Sequence, residues 1–457
     1  MKPILTLLLL VCFFWVDQVK AQEKRPNIVF IYADDWGWGD LSCHGNTWVK
    51  TPNIDRLVDE GIDFQQFNVL NPVCSPSRVG AFTGRYPARF GINHVFGAIS
   101  KGPEQPDWLD VKAPNIARIL QSAGYKTAHF GKWHMGDRED SPKIAEYGFD
   151  ESEVYHGNGK KIKPHDIADR AVRFIKENKD KPFFMNVWIH ESHTAHNPTP
   201  EAMELWKNES NEKKRIYGAV ITDGDNNVGK VLKALDDAGI SDNTLVVFAS
   251  DNGPESTGTI AKKGKIGRYG SYYSIGETAG LRGRKRSLFE GGIRTPFIVR
   301  WPGHTTPGMK NDTTVFTAVD LLPTFCAAAG VPVPSNVKCD GENLIEAFNS
   351  KPIARTRTIY WLHTGKKSDP DWWPRLAVRE GDWKLVTTFD GKRTELHNMK
   401  SDRYEKDDTD LSKKYPEITE RLTKLAFKWY ETLPKKADPS CLSHIPEIKN
   451  KKAKHKK

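Results

Sequence analysis

The sequence predicts an α/β protein: a mostly parallel central sheet flanked by helices, with a smaller antiparallel sheet and a covering helix towards the C-terminus. Three observations carry this. Asn27–Ala33 (NIVFIYA) and Thr244–Ser250 (TLVVFAS) are unbroken apolar, β-branched runs, the composition of strands buried on both faces. Shorter runs of the same kind at 127–130, 183–189 and 296–300 alternate with helical periodicity at 53–60, 113–123, 166–178 and 214–238. From about residue 355 the texture changes to short strands at 359–363, 376–379, 383–388 and 394–397, joined by turns such as Glu380-Gly381-Asp382 and followed by one amphipathic pattern over 416–433.

Taken along the chain, residues 1–21 read as a secretory signal peptide: Lys2, an apolar run from Ile4 to Val16, and the small-residue site Val19-Lys20-Ala21. The run is short for a membrane span and no later segment approaches one, so a secreted or periplasmic protein without a stable membrane span is expected. The remaining length exceeds one compact core, and the expected division is a catalytic α/β domain over 22–354, a C-terminal subdomain over 355–445 and a basic disordered tail over 446–457. Net charge is +10 at pH 7, but the tail is rich in lysine, which leaves the body of the chain only mildly basic and argues against nucleic acid as a partner. The segment 253–280, rich in Gly, Ser and Tyr, is longer than an ordinary connection and reads as a candidate active-site rim.

Once Cys12 leaves with the leader, Cys43, Cys74, Cys326, Cys339 and Cys441 remain. An odd number outside the cytosol leaves at least one thiol unpaired or chemically special. Cys74 is the candidate; the other four form two bridges or none, and spacing does not choose.

The two long strand runs end in Asp34-Asp35 and in Asp251-Asn252. In open α/β sheets ligands bind beyond the carboxyl ends of the strands, so these four side chains can converge on one point. They offer only oxygen, which suits calcium or magnesium and suits zinc poorly. Three carboxylates brought that close also need positive charge between them.

With these residues in view, the chain is identified as resembling the type I sulfatases of the alkaline phosphatase superfamily, from about Arg25 to the C-terminal helix. The carrying motifs are NIVFIYADDWGWGD at 27–40, CSPSR at 74–78 with Thr83-Gly84-Arg85 after it, GKWHMG at 131–136, IHESH at 189–193, SDNG at 250–253 and LRGRKRSLFEGGIRTP at 281–296. The resemblance implies that Cys74 is the modified residue, oxidised to formylglycine by a maturation enzyme that recognises Pro76 and Arg78. A hydrated aldehyde carries two hydroxyls on one carbon, so one accepts the sulfuryl group and the other drives its release. It further implies that Asp34, Asp35, Asp251 and Asn252 hold a divalent cation, Ca2+ by family habit with Mg2+ possible, and that Arg78 holds the hydrate oxygen. Lys132 and His134 would contact nucleophile and sulfate, and Lys285 the sulfate and ester oxygen. The family often reads HxPH where this chain has His190-Glu191-Ser192-His193-Thr194-Ala195-His196, without the proline. His193 is the expected sulfate ligand and acid for the leaving alcohol, with His196 the alternative.

The expected substrate is a sulfated carbohydrate. His94, His190, His196, His363 and Arg375 are candidate substrate-binding residues, and His94, His363, Trp372, Trp373 and Arg375 read as exposed polar aromatics and cations able to line a sugar pocket. Three alternatives remain at this level: an arylsulfatase of broad specificity, a phosphonate or phosphate ester hydrolase of the same superfamily, and an unmatured, non-catalytic binder of sulfated glycans.

Overall fold

Seven strands of one eight-stranded sheet run in the same direction and an eighth opposes them, in the order 151–154, 126–131, 183–188, 27–33, 244–250, 297–300, 62–64 and 309–311, with 297–300 antiparallel to both neighbours. The computed structural model describes residues 25–96, 105–194, 196–255, 274–349, 351–365 and 373–445. The leader 1–21, the tail 446–457, Trp372 and the stretch 256–273 of the proposed rim lie outside the described residues. The strands are β1 (Asn27–Ala33), β2 (Ile62–Phe64), β3 (Phe67–Asn68), β4 (Lys126–Gly131), β5 (Glu151–Val154), β6 (Phe183–Trp188), β7 (Thr244–Ser250), β8 (Phe297–Arg300), β9 (Met309–Asn311), β10 (Phe316–Thr317), β11 (Ile359–Leu362), β12 (Leu376–Glu380), β13 (Trp383–Thr387) and β14 (Thr394–Asn398). The helices are α1 (Pro52–Asp59), α2 (Cys74–Thr83), α3 (Ile116–Ser122), α4 (Ile167–Asn178), α5 (Pro200–Leu205), α6 (Glu212–Asp237), α7 (Glu290–Ile293), α8 (Leu321–Ala328) and α9 (Pro416–Glu431).

β1 lies at the centre because every one of its residues is buried, and the pleat sends alternate side chains to opposite layers. Val29, Ile31 and Ala33 pack towards α1, α4 and α6, while Ile28, Phe30 and Tyr32 pack towards α2, α3 and α8. The second of these clusters continues without a break into the C-terminal sheet, through Trp361, Leu376, Val378 and Leu385 and on to Trp429 of α9. β11 to β14 form an antiparallel meander in sequence order, as the turn-punctuated strands predict. None of the helices among the described residues is long and apolar enough to cross a membrane.

The meander is joined to the large sheet by buried charge. Lys384 of β13 donates to Glu290 of α7 at 2.8 Å and lies 2.9 Å from Glu405, and all three are fully buried. Arg294 holds the other oxygen of Glu290 at 2.5 Å. Burial pushes the Glu290 carboxyl up, but Lys384 and Arg294 outweigh it and hold it well below the usual range; Glu405, with a share in only one ammonium, is pushed above it by burial.

Removing one partner of a buried pair leaves the other charge uncompensated, which typically costs about 3–5 kcal/mol. Lys384→Met is therefore expected to lower the free energy of unfolding by about that amount, measured by chemical denaturation. Loss of less than about 1 kcal/mol, the scale of an exposed pair, would show that the cluster does not hold the two sheets together.

Candidate active site at the carboxyl ends of the central strands

β1 and β7 are adjacent and parallel with Ala33 opposite Ser250, so the residues after them, Asp34-Asp35 and Asp251-Asn252, emerge side by side. All four are fully buried. Asp35 sits at φ 66°, a left-handed conformation that Asp tolerates better than most residues, and its N–H donates to Asp251 Oδ1 at 3.1 Å. Two glycines make the site compact. A Cβ on Gly253 would lie 1.9 Å from the Gly291 carbonyl, and Gly131, at φ 114°, would place one 2.0 Å from the Trp188 carbonyl, so only glycine lets the chain pass directly after Asn252 and directly before Lys132.

Cys74 is the first residue of α2, delivered beside the carboxylates by the extended Val73. Its Sγ lies 3.4 Å from Asp34 Oδ1 and 3.9 Å from Asp35 Oδ1, and Lys132 Nζ approaches it at 3.4 Å. Arg78, one helical turn on, points at the same place: Nε and Nη2 donate to Asp251 Oδ2 at 2.9 and 2.6 Å, and the guanidinium lies over Trp188 and Tyr32 at 5.0 and 5.4 Å. Lys132 donates to both oxygens of Asp34 at 2.9 and 2.7 Å, and Lys285 to Asp35 at 2.5 Å. Each carboxylate thus has its own cation. Burial raises the Asp34 carboxyl, yet Lys132 and its other neighbours hold it well below the usual range; burial wins at Asp251, pushed up to about 6 against the pull of Arg78. The Cys74 thiol is pushed well up by burial and by Asp251.

The histidines fan out around this group. His190 Nδ1 is 3.1 Å from Asp34 Oδ2, and His193 Nε2 is 3.9 Å from Asp35 Oδ2. His196 is buried against Tyr217, with neither ring nitrogen hydrogen-bonded, so of the two alternatives His193 is the one beside the carboxylates. His134 stacks on His156 and lies in the field of Lys132; burial, then Lys132, hold it well below the usual range for histidine. His190, His193 and His196 line one cavity of about 290 Å³ together with Tyr155, His165, Glu191 and Asp223. These last four were not expected from sequence. Glu191 carried a signal, its place inside IHESH, and burial pushes its carboxyl up to about 7.

His94, His363 and Arg375 form a group of their own at the end of β11: the two rings stack at 5.7 Å and the His363 N–H donates to the Arg375 carbonyl. The expected exposure is corrected here. His363 is fully buried and Trp373 nearly so, because the meander and its neighbours close over them. The cysteine arithmetic is refined too: all five described cysteines are free, so an odd count does not single out Cys74, and its position does.

The site fits a hard cation. Asp34, Asp35, Cys74 and Asp251 each bring a ligand atom within 4.8 Å of the others. The Asn252 amide is oriented with its Nδ2 on Asp35 Oδ1 (2.7 Å) and the Gly253 carbonyl, which leaves Oδ1 buried with no hydrogen-bond partner. A buried oxygen without a donor is what a cation ligand looks like before the ion is bound.

Comparison with known proteins agrees with this geometry. The sulfatase family model matches residues 26–331, and the model for the C-terminal part of N-sulphoglucosamine sulphohydrolase matches residues 283–431. The chain is similar to human arylsulfatase A, 30% identical over 71% of this chain and 68% of that one. It is also similar to an N-acetylgalactosamine-6-O-sulfatase of Bacteroides thetaiotaomicron, 26% identical over 88% of this chain and 93% of the relative. Among solved structures, Ps i-CgsB in complex with k-i-k-neocarrahexaose superposes with a TM-score of 0.76 at 28% identity, covering 91% of this chain and 96% of that one.

Ca2+ at one hundred times its dissociation constant is expected to stabilise the native protein by about 2.7 kcal/mol, seen as a rise in Tm of several degrees over the chelated protein. Asn252→Leu, similar in size but without the oxygen, should lose most of that rise. An undiminished rise in this variant would place the cation elsewhere.

Proposed function

We propose, on the premise that this chain belongs to the sulfatase family, that it hydrolyses the sulfate ester of a sulfated carbohydrate with residue 74 as nucleophile, matured to formylglycine, beside a divalent cation. The observation that carries the reading is Cys74 Sγ at 3.4 Å from Asp34, at the head of a helix and among three carboxylates and three cations. A formylglycine hydrate supplies a geminal diol nucleophile, and a divalent cation held by Asp34, Asp35, Asp251 and Asn252 supplies Lewis acidity.

The chain's own residues then divide the remaining work. Arg78 and Lys132 flank position 74 and orient the nucleophilic oxygen. Lys132, Lys285 and Arg78, which lie among the same carboxylates, are the nearest positive groups for the anionic ester and its developing charge. His193, a quarter exposed at its side chain and set on the cavity wall, is placed to give a proton to the leaving alcohol, which an alkyl sulfate needs and an aryl sulfate needs less. Support for a saccharide comes from the relatives: one acts, by its name, on 6-sulfated N-acetylgalactosamine, and one solved structure holds a neocarrahexaose. Cys74 is 1% exposed in the fold, so its maturation has to precede burial, which suits a chain matured during export behind the leader at 1–21.

The test is turnover of defined sulfated sugars, 4-nitrophenyl sulfate and the matched phosphate esters by protein made in a host with a maturation enzyme. The expected results are hydrolysis of a sulfated sugar, an aldehyde mass on the peptide containing residue 74, and loss of about 10⁴-fold or more in kcat/KM for Cys74→Ala. Activity on the aryl ester alone would remove the carbohydrate, preference for phosphate would contradict the chemistry, and an active protein carrying only the thiol would exclude the aldehyde.

His193→Ala should lower kcat for a sulfated sugar by about 10²-fold or more while affecting 4-nitrophenyl sulfate far less, because a nitrophenolate departs without a proton. Equal losses on both would assign the proton to another group.

A further inference from the structure

A cavity of about 660 Å³ lies away from the carboxylates. It lies beyond the opposite end of α2, whose ten residues rise about 15 Å from Cys74, and Arg85 of the Thr83-Gly84-Arg85 motif forms part of its wall. Four cations line it, Arg85, Lys112, Arg118 and Lys338, and no lining residue is acidic. Among the described residues none of the four is in an ion pair, whereas neighbouring Arg89 is engaged by Asp340 at 2.8 Å. Arg118 is held rigidly instead by the carbonyls of Ala113, Val111 and Glu146, at 3.3, 2.8 and 2.6 Å, which fixes its charge without neutralising it. Arg85 keeps a buried Nε with no hydrogen-bond partner. Between the cations the wall is apolar, with Ile119 and Val331. Asp340 acts on Arg85 and Asp438 on Lys112 from outside the wall, but the wall itself carries four cations and no acid, so it presents a positive face to an anion.

We propose that this cavity is a second, non-catalytic binding site for a sulfated glycan chain, with sulfates at Arg85, Lys112, Arg118 and Lys338 and sugar faces against Ile119 and Val331. The inference rests on the saccharide reading of the active site and deepens it. A volume within the range of ordinary ligand sites, apolar walls and a few fixed charges are what such a chain requires. A chain held here raises the local concentration of its other sulfated units at the catalytic centre, a gain that a monosaccharide cannot receive.

The experiment measures equilibrium binding of chondroitin sulfate, carrageenan and heparin hexasaccharides, each with its desulfated counterpart, to three proteins carrying Cys74→Ala. These are the otherwise unaltered chain, the pair Lys112→Glu with Lys338→Glu, and a chain lacking the lysine-rich residues 446–457. In the matured enzyme the lysine pair is assayed on 4-nitrophenyl sulfate. The expected result is that at least one sulfated hexasaccharide binds about tenfold more weakly to the lysine-pair variant and that its desulfated form binds no protein, while aryl sulfate turnover is unchanged. Binding that depends only on the tail, equal binding of desulfated chains, or no dependence on Lys112 and Lys338 would each overturn the proposal. Lack of aryl or sugar sulfate turnover by the unaltered enzyme would count against the proposed function instead, so the two fail separately.

Discussion

Everything at this site depends on three carboxylates being buried together, each neutralised by one cation: Asp34 by Lys132, Asp35 by Lys285, Asp251 by Arg78. Taking an isolated charge out of water costs far more than any single packing contact returns, so none of the six can be buried alone. The pairing solves folding and prepares chemistry at once. It also gathers two ammonium groups and a guanidinium among the carboxylates that surround residue 74.

The scaffold is organised to make that pairing possible. Parallel register brings the ends of β1 and β7 together, α2 begins where residue 74 must be, and Lys132 follows β4 through a turn only glycine can make. Lys285 arrives from the loop before α7, and α7 is tied to the meander through Glu290 and Lys384. The C-terminal sheet therefore stabilises the segment that supplies one of the three neutralising cations, and the continuous apolar cluster beneath it makes the two sheets one packing unit.

Much of this was legible in the sequence. β1 and β7 match their predicted bounds because a strand buried on both faces must be apolar throughout, and the four strands of the meander lie within a residue of prediction because turns punctuate them. β2, β5 and β9 were not legible: three or four residues with Asp63, Glu151 or Lys310 among them carry no such pattern. The helix α2 was hidden by Pro76, which is harmless in the first turn, where its missing N–H has no partner to lose. The direction of β8 leaves no trace in composition. The four proposed metal ligands stood out because they end two apolar runs, whereas the burial of His363 and Trp373 depends on what lies over them, which local sequence does not record.

The most direct test is a crystal structure of the matured enzyme grown with Ca2+, read at residue 74 and between the two strand ends. The account predicts a hydrated aldehyde at that position and a single cation bound by oxygens of Asp34, Asp35, Asp251 and Asn252, with Lys132, Lys285 and Arg78 turned towards the nucleophile. An unmodified thiol in an active enzyme, or a cation bound away from those four residues, would contradict it.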